Sequence, residues 1–325
     1  MSVDASLNSF DGTRIHYELD AVFETDVPGP DVLLCDGIGC DGYIWRYLRP
    51  RLRARGRVIH PHTRGHGRSG APVDPKAVAI GHVVDDFRRV LDAVESRSCV
   101  MIGHSMGVQV ALELWNRDRP RVAALVLLCG SYGNPASTFR DGQAMRHLLP
   151  LLRAGVRLGG ERLRALWRVA TPTAFSSFLA QLTELHPDFL RKHDLHLYLS
   201  HLAEMDPQVF FDMLAGAEAH SAAAYLTSID VPTLVISGEL DRFTPAWLSS
   251  EMAHRIPTAE SVCVRDGTHA SPVEHPMQIN LRIERFIDEH FPQRALSEAA
   301  PAPAPKSEPA SPVTRRRKSS RAADQ

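Results

Sequence analysis

Apolar residues fall along this chain in two rhythms that alternate. Short apolar runs read as buried strands at Val32-Leu33-Leu34-Cys35, Arg57-Val58-Ile59-His60, Val100-Met101-Ile102, Val122 to Cys129, Val231 to Gly238 and Ser261 to Val264. Helical spacing recurs between and after them. It runs from Tyr43 to about Arg55, from His82 to Val94, from Val108 to the stop at Arg119-Pro120, and from Gln278 to Phe291. Residues 5 to 20 alternate about Asp11-Gly12 and predict a hairpin. Strand trading with helix predicts an α/β fold: a mostly parallel sheet covered by helices on both faces.

The rhythm breaks twice. From Gly130 to about Ala223 the pattern is almost wholly helical and rich in Leu, Arg and His. This stretch, about 131–223, is expected to be a helical cap inserted over the carboxyl edge of the sheet. From Pro292 onward Ala, Pro and Ser dominate, so 292–325 is expected to be a disordered tail behind a folded domain of 1–291. No internal repeat is visible.

Composition narrows the class. A chain of 325 residues, 44 % hydrophobic, suits one large globular domain. No apolar run approaches the ~20 residues of a membrane span. The stretch Met1 to Asp11 lacks a signal-peptide pattern, and the five cysteines lack C-x-x-C or zinc spacing. Reduced thiols, no metal and a cytoplasmic location are the expectation. The net charge of −1 hides a tail at +4 and a body at −5, which argues against nucleic acid as the main partner. Oligomeric state is open.

The strand at Val100 ends abruptly in Gly103-His104-Ser105-Met106-Gly107, and a helix begins at once. The G-x-S-x-G pentapeptide alone arises by chance in roughly one chain of this length in ten. Strand, sharp turn and helix give it meaning, because such a corner pushes the Ser105 hydroxyl out of the sheet. Two partners follow in the order this geometry needs. Asp241 lies just past the Val231–Gly238 strand, and His269 on the loop after Cys263. A serine hydroxyl is a poor nucleophile until a base takes its proton. Neutral His269 can do so near pH 7, with Asp241 holding its tautomer. The backbone N–H groups of Met106 and of Ile38, after the Asp36-Gly37 turn, are the expected oxyanion donors.

With Gly103 to Gly107, Arg64-Gly65-His66-Gly67-Arg68-Ser69, and Gly238-Glu239-Leu240-Asp241 before His269, the chain resembles the α/β-hydrolase superfamily over about residues 5–291. It looks most like the capped branch of esterases, 3-oxoadipate enol-lactonases and cofactor-free haloperoxidases. The resemblance implies a cofactor-free serine hydrolase that cleaves a small carboxylic ester or lactone through an acyl-enzyme. Thioester hydrolysis, acyl transfer or perhydrolysis on the same residues stays open, as does a ligand-binding protein with a vestigial triad. One departure matters: the family usually has His-Gly before the oxyanion residue, where this chain has Asp36-Gly37. A carboxylate there is unfavourable unless turned away or paired.

Blander readings cover the rest. His104 packs under the corner, and Arg64 to Ser69 shapes a loop. Arg146, Arg153, Arg157, Arg164 and Arg168 read as the solvated face of amphipathic helices, with an anionic substrate or membrane surface as the alternative. His193, His196 and His201 share a helical stretch without a carboxylate at metal spacing. Trp167 and Phe175 are aromatic packing or pocket lining.

Overall fold

The computed structural model describes residues 2–20, 29–135, 143–171 and 192–292. Eight strands form one sheet: β1 (Ser2–Asn8), β2 (Arg14–Asp20), β3 (Asp31–Cys35), β4 (Val58–Pro61), β5 (Cys99–His104), β6 (Val122–Leu128), β7 (Thr233–Gly238) and β8 (Ala259–Val264). Their spatial order is β1-β2-β4-β3-β5-β6-β7-β8. β2 runs antiparallel to both β1 and β4, and every later pairing is parallel. The hairpin turns where the Asp11 carboxylate accepts from the Thr13 N–H (3.1 Å), with Gly12 at φ 87°.

Alternation along the central strands feeds two apolar layers. Leu33, Cys35 and Met101 face one side, with the buried row of α2 (Ile80–Ala93) and with α3 (Met106–Arg117). Val32, Leu34, Val100 and Ile102 face the other, against Trp45, Leu52 and the closing helix α9 (Pro276–His290). Each fully buried side chain of this size contributes about 1.5–3 kcal/mol relative to exposure.

One predicted helix is broken. Residues 43–55 form a short 3₁₀ turn, Tyr43–Trp45, and a four-residue helix, α1 (Arg49–Leu52). Pro50 explains the split, since it has no N–H to continue a helix through Arg46 but suits the first turn of a new one. Between β6 and β7 lie α4 (Gln143–Ala170), kinked at Gly160 (φ 49°), then α5 (Lys192–Glu204) and α6 (Pro207–Ala219). Asp206 caps α6 by accepting from the Gln208 N–H at 2.8 Å. α7 (Ala246–Arg255) joins β7 to β8, and α8 (Ser271–Glu274) precedes α9. Among the described residues no helix is long and apolar enough to cross a membrane. The tail, apart from Pro292, and Phe175 lie outside the described residues. All five cysteines are free thiols.

Candidate active site

Ser105 stands between β5 and α3 with φ 55° and ψ −119°, a conformation that costs energy for any residue with a side chain. Backbone packed on backbone holds it there. A Cβ on Gly107 would come within 1.9 Å of the Cys35 carbonyl oxygen, and one on Gly103 within 2.3 Å of the Gly107 oxygen. Only glycine lets the start of α3 lie this close to β3 and β5.

β7 and the loop after β8 bring the two partners. Leu240 donates its N–H to the Gly267 carbonyl (2.8 Å), drawing the end of β7 to the His269 loop. His269 Nε2 lies 2.9 Å from Ser105 Oγ, and its Nδ1 2.9 Å from Asp241 Oδ2. The other Asp241 oxygen accepts from the N–H groups of Phe243 and Thr244, both at 2.9 Å. A second hydroxyl that the sequence reading did not single out joins them: Thr244 Oγ1 donates to Asp241 Oδ2 at 2.9 Å. These acceptor bonds leave Nδ1–H as the natural donor to Asp241 and Nε2 as the acceptor facing Ser105. The Phe243 ring lies 5.1 Å from the His269 ring.

The Gly37-Ile38 side is equally close. A Cβ on Gly37 would sit 2.8 Å from Ser105 Cβ, so the Gly37-Ile38 turn passes directly over the corner. Among the described residues no group accepts from the N–H of Ile38 or of Met106. Met106 opens α3, where the helix dipole favours negative charge.

Asp36 is both turned away and paired. Its carboxylate accepts from Trp45 Nε1 at 2.6 Å and faces His60 Nε2 at 2.8 Å. Burial raises its carboxyl, but His60, His62 and the Trp45 N–H outweigh that and hold it below the usual range. Neither partner is adjacent in sequence, which is why the pairing is not readable there. His104 is 2 % exposed, and its Nε2 donates to the His269 carbonyl at 2.9 Å. Burial, reinforced by His269, pushes the imidazole down to about 4, so it is neutral at pH 7. It props the His269 backbone.

The other candidates sort by contact. Arg64 is fully buried, bonded to Asp86 (2.7 Å), Ser9 and the Ala77 carbonyl, so it braces the loop beside the site. Arg153 and Arg164 are not simply solvated, since they tie α4 to Asp212 (2.6 Å) and Asp206 (3.0 Å). Arg157 and Arg168 are exposed. His201 pairs with Asp41, Asp194 with Arg46 and Tyr47, which clasps α5 to the 37–47 segment. Leu202 and Tyr198 of α5 lie against Gly39. Trp167 packs on Phe210 and Phe211.

Among the described residues, one group has metal-ligand spacing: His16, Glu18 and His62, with ligand atoms within 4.8 Å. One of its ring nitrogens already accepts a backbone hydrogen bond. The Arg68 N–H donates to His62 Nδ1 at 3.1 Å, which leaves the ring proton on Nε2, 3.5 Å from Glu18 Oε1. A metal would need that nitrogen's lone pair. The His62 proton and the Arg49 guanidinium, working against burial, hold the Glu18 carboxyl far below the usual range.

Residues 30–276 match the family model described as alpha/beta hydrolase fold. A putative carbamate hydrolase RutD of Variovorax paradoxus is 36 % identical over 275 residues, spanning 84 % of this chain and 96 % of the relative. The pimeloyl-[acyl-carrier protein] methyl ester esterase of Aeromonas hydrophila is 25 % identical over 80 % of this chain and 96 % of its own. The crystal structure of the enol-lactonase from Burkholderia xenovorans superposes with a TM-score of 0.69 at 22 % identity, covering 87 % of this chain and 99 % of that one. With the strand–turn–helix corner at Ser105, the sheet order and this match in agreement, the chain belongs to the alpha/beta hydrolase fold family.

Proposed function

We propose that this hydrolase cleaves carboxylic esters or lactones through an acyl-enzyme formed on Ser105. His269 accepts the Ser105 proton as Oγ attacks the carbonyl carbon. The tetrahedral oxyanion is held by the N–H groups of Ile38 and Met106. Collapse breaks the bond to the leaving oxygen, which takes the proton from His269. Water then repeats the sequence on the acyl-enzyme. Asp241, fixed by Thr244 and by two backbone N–H groups, orients His269 and steadies its cation. The helices between β6 and β7 act as the cap that shapes the acyl and alcohol pockets.

The observation that carries this reading is the line of two 2.9 Å contacts from Ser105 Oγ through His269 to Asp241. Ser105→Ala is expected to lower turnover of an activated ester by at least ~10³-fold while the fold melts normally. Turnover within tenfold of the parent would refute it. A fluorophosphonate that fails to label Ser105 would favour a vestigial site, and product analysis with a competing alcohol separates hydrolysis from acyl transfer. The RutD relative favours a second reading in which the acyl carbon is a carbamate. Its carbonyl accepts the same attack, so carbamates belong beside esters, lactones and thioesters in the substrate panel.

A further inference from the structure

α4 has two apolar sides. Its inner side buries Leu149 and Val156 and sends Arg153 to Asp212 of α6. Its outer side presents Leu148, Leu151 and Leu158 on one helical face, Leu151 69 % and Leu158 88 % exposed. Ala154 and Gly155, between them, are exposed as well. Beyond the kink at Gly160, Leu166 and Val169 are exposed in the same way. Single exposed leucines are ordinary, but three on one helical face, with two more exposed apolar residues beyond the kink, are not.

The charge beside that row is of one sign. Arg157, Arg162 and Arg168 are exposed, and among the described residues no carboxylate pairs with them. The one acid on α4, Glu161, is bonded to Arg164 at 2.7 Å. Among the described residues, arginines elsewhere are often tied down, as Arg49, Arg51, Arg55, Arg57 and Arg68 are to carboxylates. Free guanidinium groups edging a leucine row, on a body with net charge −5, form a local cationic and apolar strip.

We propose that the outer face of α4 docks on an anionic lipid surface. Acyl chains take the leucines out of water, while lipid phosphates receive the arginine forks. A soluble anion would satisfy the arginines and leave the leucines wet. A second copy of the chain in a twofold contact would bring the same unpaired arginines face to face.

The test is flotation of the full-length protein with phosphatidylcholine vesicles, with and without about one-third phosphatidylglycerol. The parent is expected to float with the anionic vesicles, weakly with neutral ones, and less as salt rises. Leu151→Glu/Leu158→Glu, at exposed positions that leave folding and short-ester turnover unchanged, is expected to lower partitioning at least about tenfold. Arg157→Glu/Arg162→Glu/Arg168→Glu should do the same. No binding by the parent would overturn the proposal. So would equal binding by parent and variants, which would move attachment to the basic run at 315–318. A parent dimer that Leu158→Glu dissociates, without vesicle binding, would overturn it in favour of self-association.

Discussion

Removing the Asp36 carboxylate should show how much the Gly37-Ile38 turn depends on its unusual acid. In Asp36→Ala, the Trp45 N–H and the His60 Nε2 lose their acceptor inside a site where Asp36 is 1 % exposed. Leaving these two buried nitrogens without their acceptor costs about 1–3 kcal/mol each. In a domain of this size each kcal/mol shifts the melting temperature by about 2 °C, so the expected loss is about 4–12 °C. Asp36→Asn keeps the shape and one acceptor and should cost about 1–2 kcal/mol. The pH dependence has a definite sign. The folded carboxyl is held below its unfolded value, so its contribution is complete above about pH 4 and fades as pH falls through the folded value. Thermal melts by circular dichroism, at neutral pH and in acid, measure both effects. An Asp36→Ala protein melting within about 2 °C of the parent at neutral pH would refute the reasoning.

Three further outcomes are expected. Gly37→Ala, whose new Cβ would meet Ser105 at 2.8 Å, should lower kcat about a hundredfold and cost about 1–3 kcal/mol of stability, measured by steady-state ester hydrolysis and thermal melts. Thr244→Val removes the hydroxyl on Asp241 and should cost about three- to tenfold in kcat/KM, with Thr244→Ser restoring it; equal loss in both would point to packing instead. The Asp41 carboxylate, prevailing over burial, lifts His201 above its ordinary value, so the clasp on α5 is complete below about pH 6.5 and weakens as pH rises through the raised value. The stability gap between parent and His201→Ala should shrink over that interval, and a gap that stays constant would count against the pairing.

What the sequence discloses follows from the range of each interaction. Strands β3, β5, β6 and β7 and helices α2 and α3 are legible because period-two or helical burial is written in consecutive residues. The corner at Ser105 is legible because its glycines stand two positions away on either side. Asp241 and His269 are legible only through chain order, and the bonds that fix Asp241 add Thr244, which no spacing rule marks. The pairing of Asp36 is hidden for another reason: His60 is 24 positions away, and nothing local links the two. The same holds for Arg64 with Asp86 and for His201 with Asp41. Residues 43–55 mislead in the opposite direction, since their apolar spacing is helical while Pro50 divides them. α7 goes unnoticed because only Leu248, Ser249 and Met252 of its ten residues are buried.

The close passage of Gly103 and Gly107 against Cys35 has a bearing on how this catalyst can change. Atoms of main chain have no rotamers to exchange, so the height and tilt of the Ser105 hydroxyl are settled before any neighbouring side chain is chosen. Mutational drift is thereby steered away from the corner and toward α4, α5 and α6. A library randomised there, at Tyr198 and Leu202, should yield altered substrate preference from a chemical centre that stays in place.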